Sequence, residues 1–582
     1  MGVKSRPMAF DDNQKLAQIM EELADFLELS GENVFKVKAY QKAARTLESL
    51  EMPIRELFEQ GSLGELPGFG KALVEKVGQF LESGQVDLHT RMKAAFPSEI
   101  LRLMDVPGLG AKKASVLYRE LSVGSIEDLE RVLGEGRVAE LKGFGKKTED
   151  KLREGLALLR QGEQRWNLGQ ALQLADRLLA HLRALPFVER AEAAGSLRRG
   201  KETVGDLDLL VISSAPEKVM ASFVTLVEPS HVILQGPTKT SLRWEGRFQV
   251  DLRCVEAQSF GAALQYFTGS KDHNVALRGR AERMSLKLNE YGLFDGLGQN
   301  RAGVEEESIY QVLGLPWITP EQRETGQELD WAAELPTPLQ ESQLFGNLHT
   351  HSIWSDGEDT LEQLAEEARR RGYRYLAITD HSRSMVVANG LTIERLLEQG
   401  EEIARLNAQW DDFRLLWGSE CDILGDGSLD FPDPILGQLD FVVVAIHSQF
   451  SMSPEVMTER ICKALAHPYV DVLAHPSGRI LGRRKGYEAD WERIFRCAQE
   501  HGVALEMNCS QERLDLSDKM ARRARDLGCL LSLGTDAHCL KEFEQMQLGV
   551  LQARRVALTP GHLLNGLSWP QLKERRERLL PC

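Results

Sequence analysis

Apolar positions recur every three or four residues through residues 11–165, as in "LAQIMEELADFL", and this period predicts helices almost throughout. Glycine-rich turns punctuate them. After residue 165 the period shifts: "VERAEAAGSLRRGKETVGDLDLLVIS" and "RFQVDLRCV" alternate as strands do, and residues 257–317 mix helices with short strands. The acidic, Gln-rich stretch 318–343, "ITPEQRETGQELDWAAELPTPLQESQ", has Pro at both ends and reads as a linker that allows domain motion. Beyond it, seven short apolar runs alternate with helical stretches: "LFGNLHTH", "YRYLAITDH", "LLWGSECD", "DFVVVAIHS", "VDVLAHP", "VALEMN" and "LLSLGTDAH". That alternation predicts a (β/α) barrel with a parallel sheet.

Length and charge narrow the picture. A chain of 582 residues holds several domains. The net charge of −16 has the wrong sign for coating a nucleic acid, so any such binding must rest on backbone amides, metals and short basic patches. No apolar run is long enough to span a membrane, and the first residues, "MGVKSRPMAF", lack the apolar core of a signal peptide. The eight cysteines form no C-x-x-C pair, which predicts a reduced, cytoplasmic protein without disulfides. Nine of the thirteen histidines lie after residue 345, which points to metal chemistry there.

Three glycine turns share one frame: "LPGFGKALVEKV" from Leu66, "VPGLGAKKASVL" from Val106 and "LKGFGKKTEDKL" from Leu141. Each leads into a helix with a basic first turn, whose free amides suit an anion. A single copy would suit a glycine-capped helical hairpin equally well. The repeat resembles the helix-hairpin-helix motif, which grips DNA phosphates, and it places Gly68, Gly70, Gly108, Gly110, Gly143 and Gly145 against DNA.

In "TVGDLDLLV", Asp206 and Asp208 lie two apart on a strand and share one face, while Leu207 and Leu209 point inward. Two such carboxylates repel unless cations join them. Asp251 in "FQVDLRCV" supplies a third, and three carboxylates from two strands could clamp two ions roughly 3.5–4 Å apart for in-line phosphoryl transfer. The alternative is a solvated strand face. Upstream, "AGSLRRG" offers a Gly195–Ser196 turn and the Arg199 guanidinium to phosphate oxygens. This order of motifs resembles the nucleotidyltransferase fold of the DNA polymerase beta superfamily, and "YFTGS", Tyr266 to Ser270, narrows the resemblance to family X DNA polymerases.

That resemblance implies that Asp206 and Asp208 hold two Mg2+ or Mn2+ ions and that Asp251 completes the site that activates the primer 3′-hydroxyl. It places Gly205, Tyr266, Phe267, Gly269 and Asn274 at the incoming dNTP, and Arg253 and Arg278 near DNA. Upstream, "ENVFKVKAYQKAARTL" and "GFGKALVEKVGQFLESG" resemble the polymerase beta lyase domain. Lys76 falls at the Schiff-base lysine, with Lys36 and Tyr40 in the pocket, although Ala72 replaces a supporting basic residue. The alternative is a lysine on a solvated helix face.

His349, His351, Asp356, His381, Glu420, His447, His475, Asp536 and His538 fall at the C-terminal ends of the apolar runs, where such barrels place their chemistry. Nine nitrogen and oxygen ligands suit three metals. The set resembles the PHP (polymerase and histidinol phosphatase) family and implies a phosphoesterase holding up to three Mn2+, Zn2+ or Fe2+ ions. His467, His501 and His562 do not fit the pattern. Arg479 and Arg483 either guide a phosphate backbone or form a solvated basic loop.

The expected chain is multidomain, α+β and α/β. It carries a lyase-like domain at 1–85, a fingers-like helix-hairpin-helix domain at 86–164, a nucleotidyltransferase palm at 165–256, and a thumb at 257–317. The linker at 318–343 then leads to a distorted (β/α)7 PHP barrel at 344–582. The resemblance implies a monomeric, cytoplasmic, nucleoid-associated DNA repair polymerase acting on gapped or nicked double-stranded DNA with dNTPs. It also implies 3′-5′ exonuclease trimming, with AP endonuclease and 5′-deoxyribose-phosphate lyase as further activities. The competing readings are a PHP phosphatase docked on DNA with weak polymerase activity, and a structural end-binding protein with vestigial sites.

Overall fold

A computed structural model describes residues 9–49, 54–66, 69–97, 99–106, 108–163 and 165–579. The chain divides into two compact units, Met1–Gly162 and Glu163–Cys582.

The described residues of the first unit are helical or irregular, as the three-to-four period requires. Helices Ala9–Leu29, Val34–Ser49 and Lys71–Ser83 bury Leu16, Met20, Leu23, Leu47 and Val77 together. Helices Ala111–Leu121 and Ile126–Gly134 and the long Lys146–Glu163 enclose Leu103, Leu117, Leu129 and Leu152. Gly70 and Gly110 are the N-caps of their helices and leave the first-turn amides without a side-chain cap. Gly108, Gly143 and Gly145 take positive φ, which lets each turn fold tightly. Gly68 lies outside the described residues.

The second unit opens with a five-stranded sheet in the order Val188–Ala193, Asp206–Ser213, Phe248–Cys254, Lys239–Trp244, Val232–Gln235. Only the Asp206–Ser213 and Phe248–Cys254 pair is parallel. Leu207, Leu209, Val250 and Leu252 fill the core beneath helices Leu168–Arg183 and Pro216–Val224, so the alternate positions on these strands face away from it. Helices Phe260–Thr268, Lys271–Arg283 and Glu306–Val312 follow, with a small three-stranded antiparallel sheet.

Residues 318–343 are not a free tether. They form four short 3-10 turns, and Arg323 is completely buried. Arg323 pairs with Glu306 and donates from Nε to the Ile318 carbonyl at 2.8 Å. Three of the six acids that gave this stretch its linker composition are paired: Glu321 with Arg554, Glu324 with Arg199, and Glu328 with His273.

Each of the seven apolar runs after residue 343 contains one strand, and the seven pair in chain order, all parallel. An isolated parallel bridge between Thr350 and Ala537 brings the first and last strands together, so the barrel is nearly closed. Leu348, Tyr375, Leu416, Val443 and Ala504 belong to one buried cluster; the larger one, with Leu364, Ile461 and Phe495, lies between sheet and helices. No described helix is long and apolar enough to cross a membrane.

Two candidate metal centres

The first centre lies on the parallel strand pair. Asp208 stands in register with Asp251, and Asp206 precedes it on the same face. Asp206 is exposed, Asp208 half-buried and Asp251 buried. Burial, then the charges of Asp206 and Asp251, push the Asp208 carboxyl up to about 7. Three carboxylates held this way form an all-oxygen set that fits a hard divalent cation. Partial compensation comes from Lys239, 3.5 Å from Asp251, and from Gln249, which donates to Asp251 Oδ1 at 3.0 Å.

The Gly195 turn packs directly on this face. Gly195 has φ +65°, and a Cβ there would lie 2.7 Å from Asp208 Oδ2, so backbone conformation and close approach both demand glycine. Ser196 is half-buried beside it. At Gly205 a Cβ would meet Arg165 Nη1 at 2.9 Å. The Tyr266 and Phe267 rings meet edge to face at 5.2 Å. Arg253, expected near DNA, stacks over Phe267 at 4.5 Å and lies 3.9 Å from Asp251, joining the aromatic pair to the carboxylates. Asn274 is buried, donates to the Tyr266 carbonyl at 2.8 Å and accepts from Gln265 at 2.7 Å. Arg278 is half-buried on the same helix, and Gly269 has positive φ. The Arg199 fork, expected to be free for phosphates, is engaged: Nε reaches Glu324 at 3.2 Å and Nη1 donates to the Thr268 carbonyl.

The second centre caps the C-terminal ends of the barrel strands and gathers all nine expected residues. Glu420 is its hub. Its Oε1 lies 2.8 Å from His475 Nε2 and 3.4 Å from His447 Nε2; its Oε2 lies 2.8 Å from His381 Nδ1 and 3.6 Å from both His349 and His351. Asp536 Oδ1 faces His351 at 3.1 Å and His349 at 3.4 Å, and Asp356 faces His538 at 3.5 Å and His381 at 3.6 Å. Three subsets converge closely enough to share an ion: His351, Asp356, His381 and His538; His349, His351 and Asp536; His381, Glu420 and His447. Glu420 Oε2 and His381 Nδ1, though 2.8 Å apart, are not aligned for a hydrogen bond, and His351 Nδ1 is buried with no partner. Orphaned donors and acceptors of this kind fit bound cations, and the mixed nitrogen and oxygen set fits transition metals.

The imidazoles divide: against burial, neighbouring carboxylates raise His349, lift His447 to about 10 and His538 to about 9, while His351 moves the other way. Burial, followed by His538 and His381, pushes His351 down to about 3, which leaves a neutral imidazole suited to ligation. For Glu420 burial opposes ionisation, yet His447, His381 and His349 hold it well below the usual carboxylate range. Asp536 carries φ +55°, a conformation L residues rarely adopt, consistent with strain stored at a site.

Residues that the sequence reading passed over hold the ligands in place. Glu506 accepts from His349 Nδ1 at 2.8 Å and from the His475 amide at 2.6 Å. Asp422 takes His447 Nδ1 at 2.5 Å. Such partners fix ring orientation and tautomer. The available signal was an acid inside a buried strand, as in "VALEMN". Arg479, expected to guide phosphates, is spent on the Arg513 and Leu514 carbonyls and on Glu202. Arg483 is largely exposed, 4.0 Å from Glu512.

In the first unit, Lys76 is half-buried, lies 5.8 Å from the Tyr40 ring and donates to the Ala72 carbonyl at 3.1 Å. Burial, with Lys36 and Arg91 nearby, pushes its ammonium below the ordinary lysine value against the pull of Glu75. Lys36 is exposed and pairs with Glu32 at 3.2 Å.

Four known families match the chain: a helix-hairpin-helix domain over residues 11–86, a SAM-like helix-hairpin-helix tandem over 100–157, the DNA polymerase beta thumb over 263–324, and the PHP domain over 347–510. The thumb match runs into the stretch whose composition suggested a linker. DNA polymerase/3'-5' exonuclease PolX of Bacillus subtilis (strain 168) is 38% identical over 556 residues, covering 95% of this chain and 97% of that protein. DNA polymerase lambda of Rattus norvegicus is 24% identical over 350 residues, 55% of this chain and 58% of its own length. A protein of Thermoanaerobacter sp. (strain X514) described as "probable phosphatase" is 28% identical over 245 residues, 40% of this chain and 95% of its own length.

Proposed function

The chain belongs to the family X DNA polymerases that carry a PHP domain, and from that premise we propose that it fills short gaps in DNA at one metal centre and trims 3′ ends at the other. The observation that carries the proposal is the pair of separate ligand sets: Asp208 in register with Asp251 beneath the Gly195 turn, and the nine residues centred on Glu420.

Divalent cations held by Asp206, Asp208 and Asp251, Mg2+ or Mn2+, would supply Lewis acidity to the triphosphate and the primer hydroxyl, and Mn2+, Zn2+ or Fe2+ ions in the barrel would do so for the scissile phosphodiester. The chain's own residues do the positioning. The Gly195–Ser196 turn receives phosphate oxygens of the dNTP. Tyr266 and Phe267 bound the sugar, and Arg253, stacked on Phe267, keeps that pair in a fixed relation to Asp251. Asn274 and Arg278 extend along the same helix toward base and template. In the barrel, Glu506 and Asp422 orient His349 and His447, and burial excludes bulk water from Glu420.

The N-terminal unit supports two further roles. Its uncapped first-turn amides after Gly70 and Gly110 suit DNA phosphates, as the Gly143 and Gly145 turn does. Lys76, with its lowered ammonium, would act as the Schiff-base nucleophile of a 5′-deoxyribose-phosphate lyase, with Lys36 and Tyr40 beside it. Abasic-site cleavage in the barrel, action as a monomer, and work in the cytoplasm on the nucleoid complete the proposal.

Wild-type protein on a gapped duplex tests it. With Mg2+ and dNTPs the primer should extend across the gap; with Mn2+ and no dNTPs it should shorten from its 3′ end. Trapping by borohydride on a 5′-deoxyribose-phosphate end should label wild type and not Lys76→Ala. The match to a "probable phosphatase" favours a second reading, a barrel acting on small phosphomonoesters. Faster hydrolysis of a free phosphomonoester than of a 3′-recessed strand would favour that reading.

A further inference from the structure

The turn read as the triphosphate cradle is held from behind by the PHP barrel. Helix Met546–Arg555 follows the ligand His538 after a single 3-10 turn, Leu540–Gln545. Two of its side chains, both almost fully buried, reach the end of the Gly195–Gly200 turn. Gln552 Nε2 donates to the Gly200 carbonyl at 2.7 Å, and Arg555 Nη1 donates to the Arg199 carbonyl at 2.6 Å. Gly200 sits so close that a Cβ there would lie 3.5 Å from Leu551 Cβ and 3.7 Å from Arg555 Cδ.

The same guanidinium extends to the other wall of the nucleotide pocket. Arg555 Nη1 reaches Glu324 Oε1 at 3.1 Å, while Nη2 holds Asp518 at 2.6 Å. Glu324 also takes Arg199 at 3.2 Å and Lys201 at 3.4 Å, and its carbonyl accepts from Ser270 Oγ at 2.6 Å. Arg199 donates to the Thr268 carbonyl. One half-buried cluster therefore ties the Ser196 turn and the Tyr266–Ser270 motif to each other and to the barrel. A packing contact alone would be satisfied by apolar side chains. Here two planar donors, the neutral Gln552 amide and the charged Arg555 guanidinium, are aimed at the two carbonyls that end the turn, which fixes direction as well as distance.

We infer that Arg555, assisted by Gln552, is a positioning residue for nucleotide incorporation, supplied to the polymerase centre by the PHP barrel. The inference rests on the reading of the Ser196 turn as the triphosphate cradle. By this account the barrel is a structural part of the polymerase pocket whether or not its own centre is working, and Arg199 acts by bracing the pocket.

Single-dNTP incorporation on a 3′-recessed duplex tests it in the full-length protein, with 3′ hydrolysis in the absence of dNTPs as the second readout. Arg555→Ala should raise KM for dNTP about tenfold, with a smaller fall in kcat and 3′ hydrolysis within about twofold of wild type. Arg555→Lys should recover part of the loss. Gln552→Met, which keeps the volume and removes the donor, should shift KM the same way by a smaller factor, and it decides the question if Arg555→Ala does not fold. Unchanged KM in the folded variants, or both activities falling in parallel, overturns the inference. Ser196→Ala separates the two failures. If it raises KM while the Arg555 and Gln552 variants do not, the barrel's role falls alone. If it leaves KM unchanged, the cradle reading falls and the inference with it.

Discussion

At Asp208, burial and two neighbouring carboxylates hold the carboxyl up to about 7 against an ordinary value of 3.8. The folded state then binds this proton more tightly than the unfolded state, so stability falls as pH rises from 3.8 to about 7. A cation at the carboxylates reverses the penalty. Asp208→Asn should therefore melt higher than wild type when both are metal-free near about pH 8, by about 1–3 kcal/mol. The gap should close toward about pH 4, and Mg2+ should stabilise wild type more than the variant. Calorimetry with and without chelator checks all three. In the barrel, Glu506 is the residue whose role is least visible locally, because it acts on His349 and His475 from another strand. Glu506→Gln should lower metal affinity or 3′ hydrolysis by about 10–100-fold and leave dNTP incorporation unchanged, measured by titrating Mn2+.

Elements differ in how openly the sequence announces them. The barrel strands were legible because each is an apolar run and six of the seven carry a candidate ligand, and side-chain alternation puts Asp206 and Asp208 on one face without any tertiary knowledge. The stretch 318–343 was not legible, because two of its acids pair with arginines far along the chain: Arg554 for Glu321, Arg199 and Arg555 for Glu324. Composition sees the charge and not the partner. The pairing of Arg199 with Glu324 was hidden for the same reason. Within the thumb, burial opposes ionisation of Glu306, but Arg323 and Arg198 outweigh it and hold the carboxyl at about 2. Its contribution is present above its ordinary 4.5 and is lost as pH falls toward about 2. Glu306→Gln leaves Arg323 buried without its counter-charge. It should cost about 3–5 kcal/mol near neutral pH and much less near about pH 3, read from denaturant unfolding of both proteins.

Across the whole chain, the proposed function reconciles a net charge of −16 with DNA chemistry because the groups it assigns to DNA are local: backbone amides at glycine turns, a few basic side chains, and carboxylates that would work through cations. The two centres share unit 2 yet share no ligand: Asp206, Asp208 and Asp251 lie on the five-stranded sheet, and the nine others on the barrel. Their independence is the central claim, and one experiment reads it directly. On a single 3′-recessed duplex, rates of dNTP incorporation with Mg2+ and of 3′ shortening with Mn2+ are compared for wild type, for Asp206→Ala with Asp208→Ala, and for His349→Ala. The account predicts that the aspartate variant loses incorporation and keeps shortening within about twofold, and that His349→Ala does the opposite. Loss of both activities in either variant, with the fold intact by circular dichroism, would contradict it.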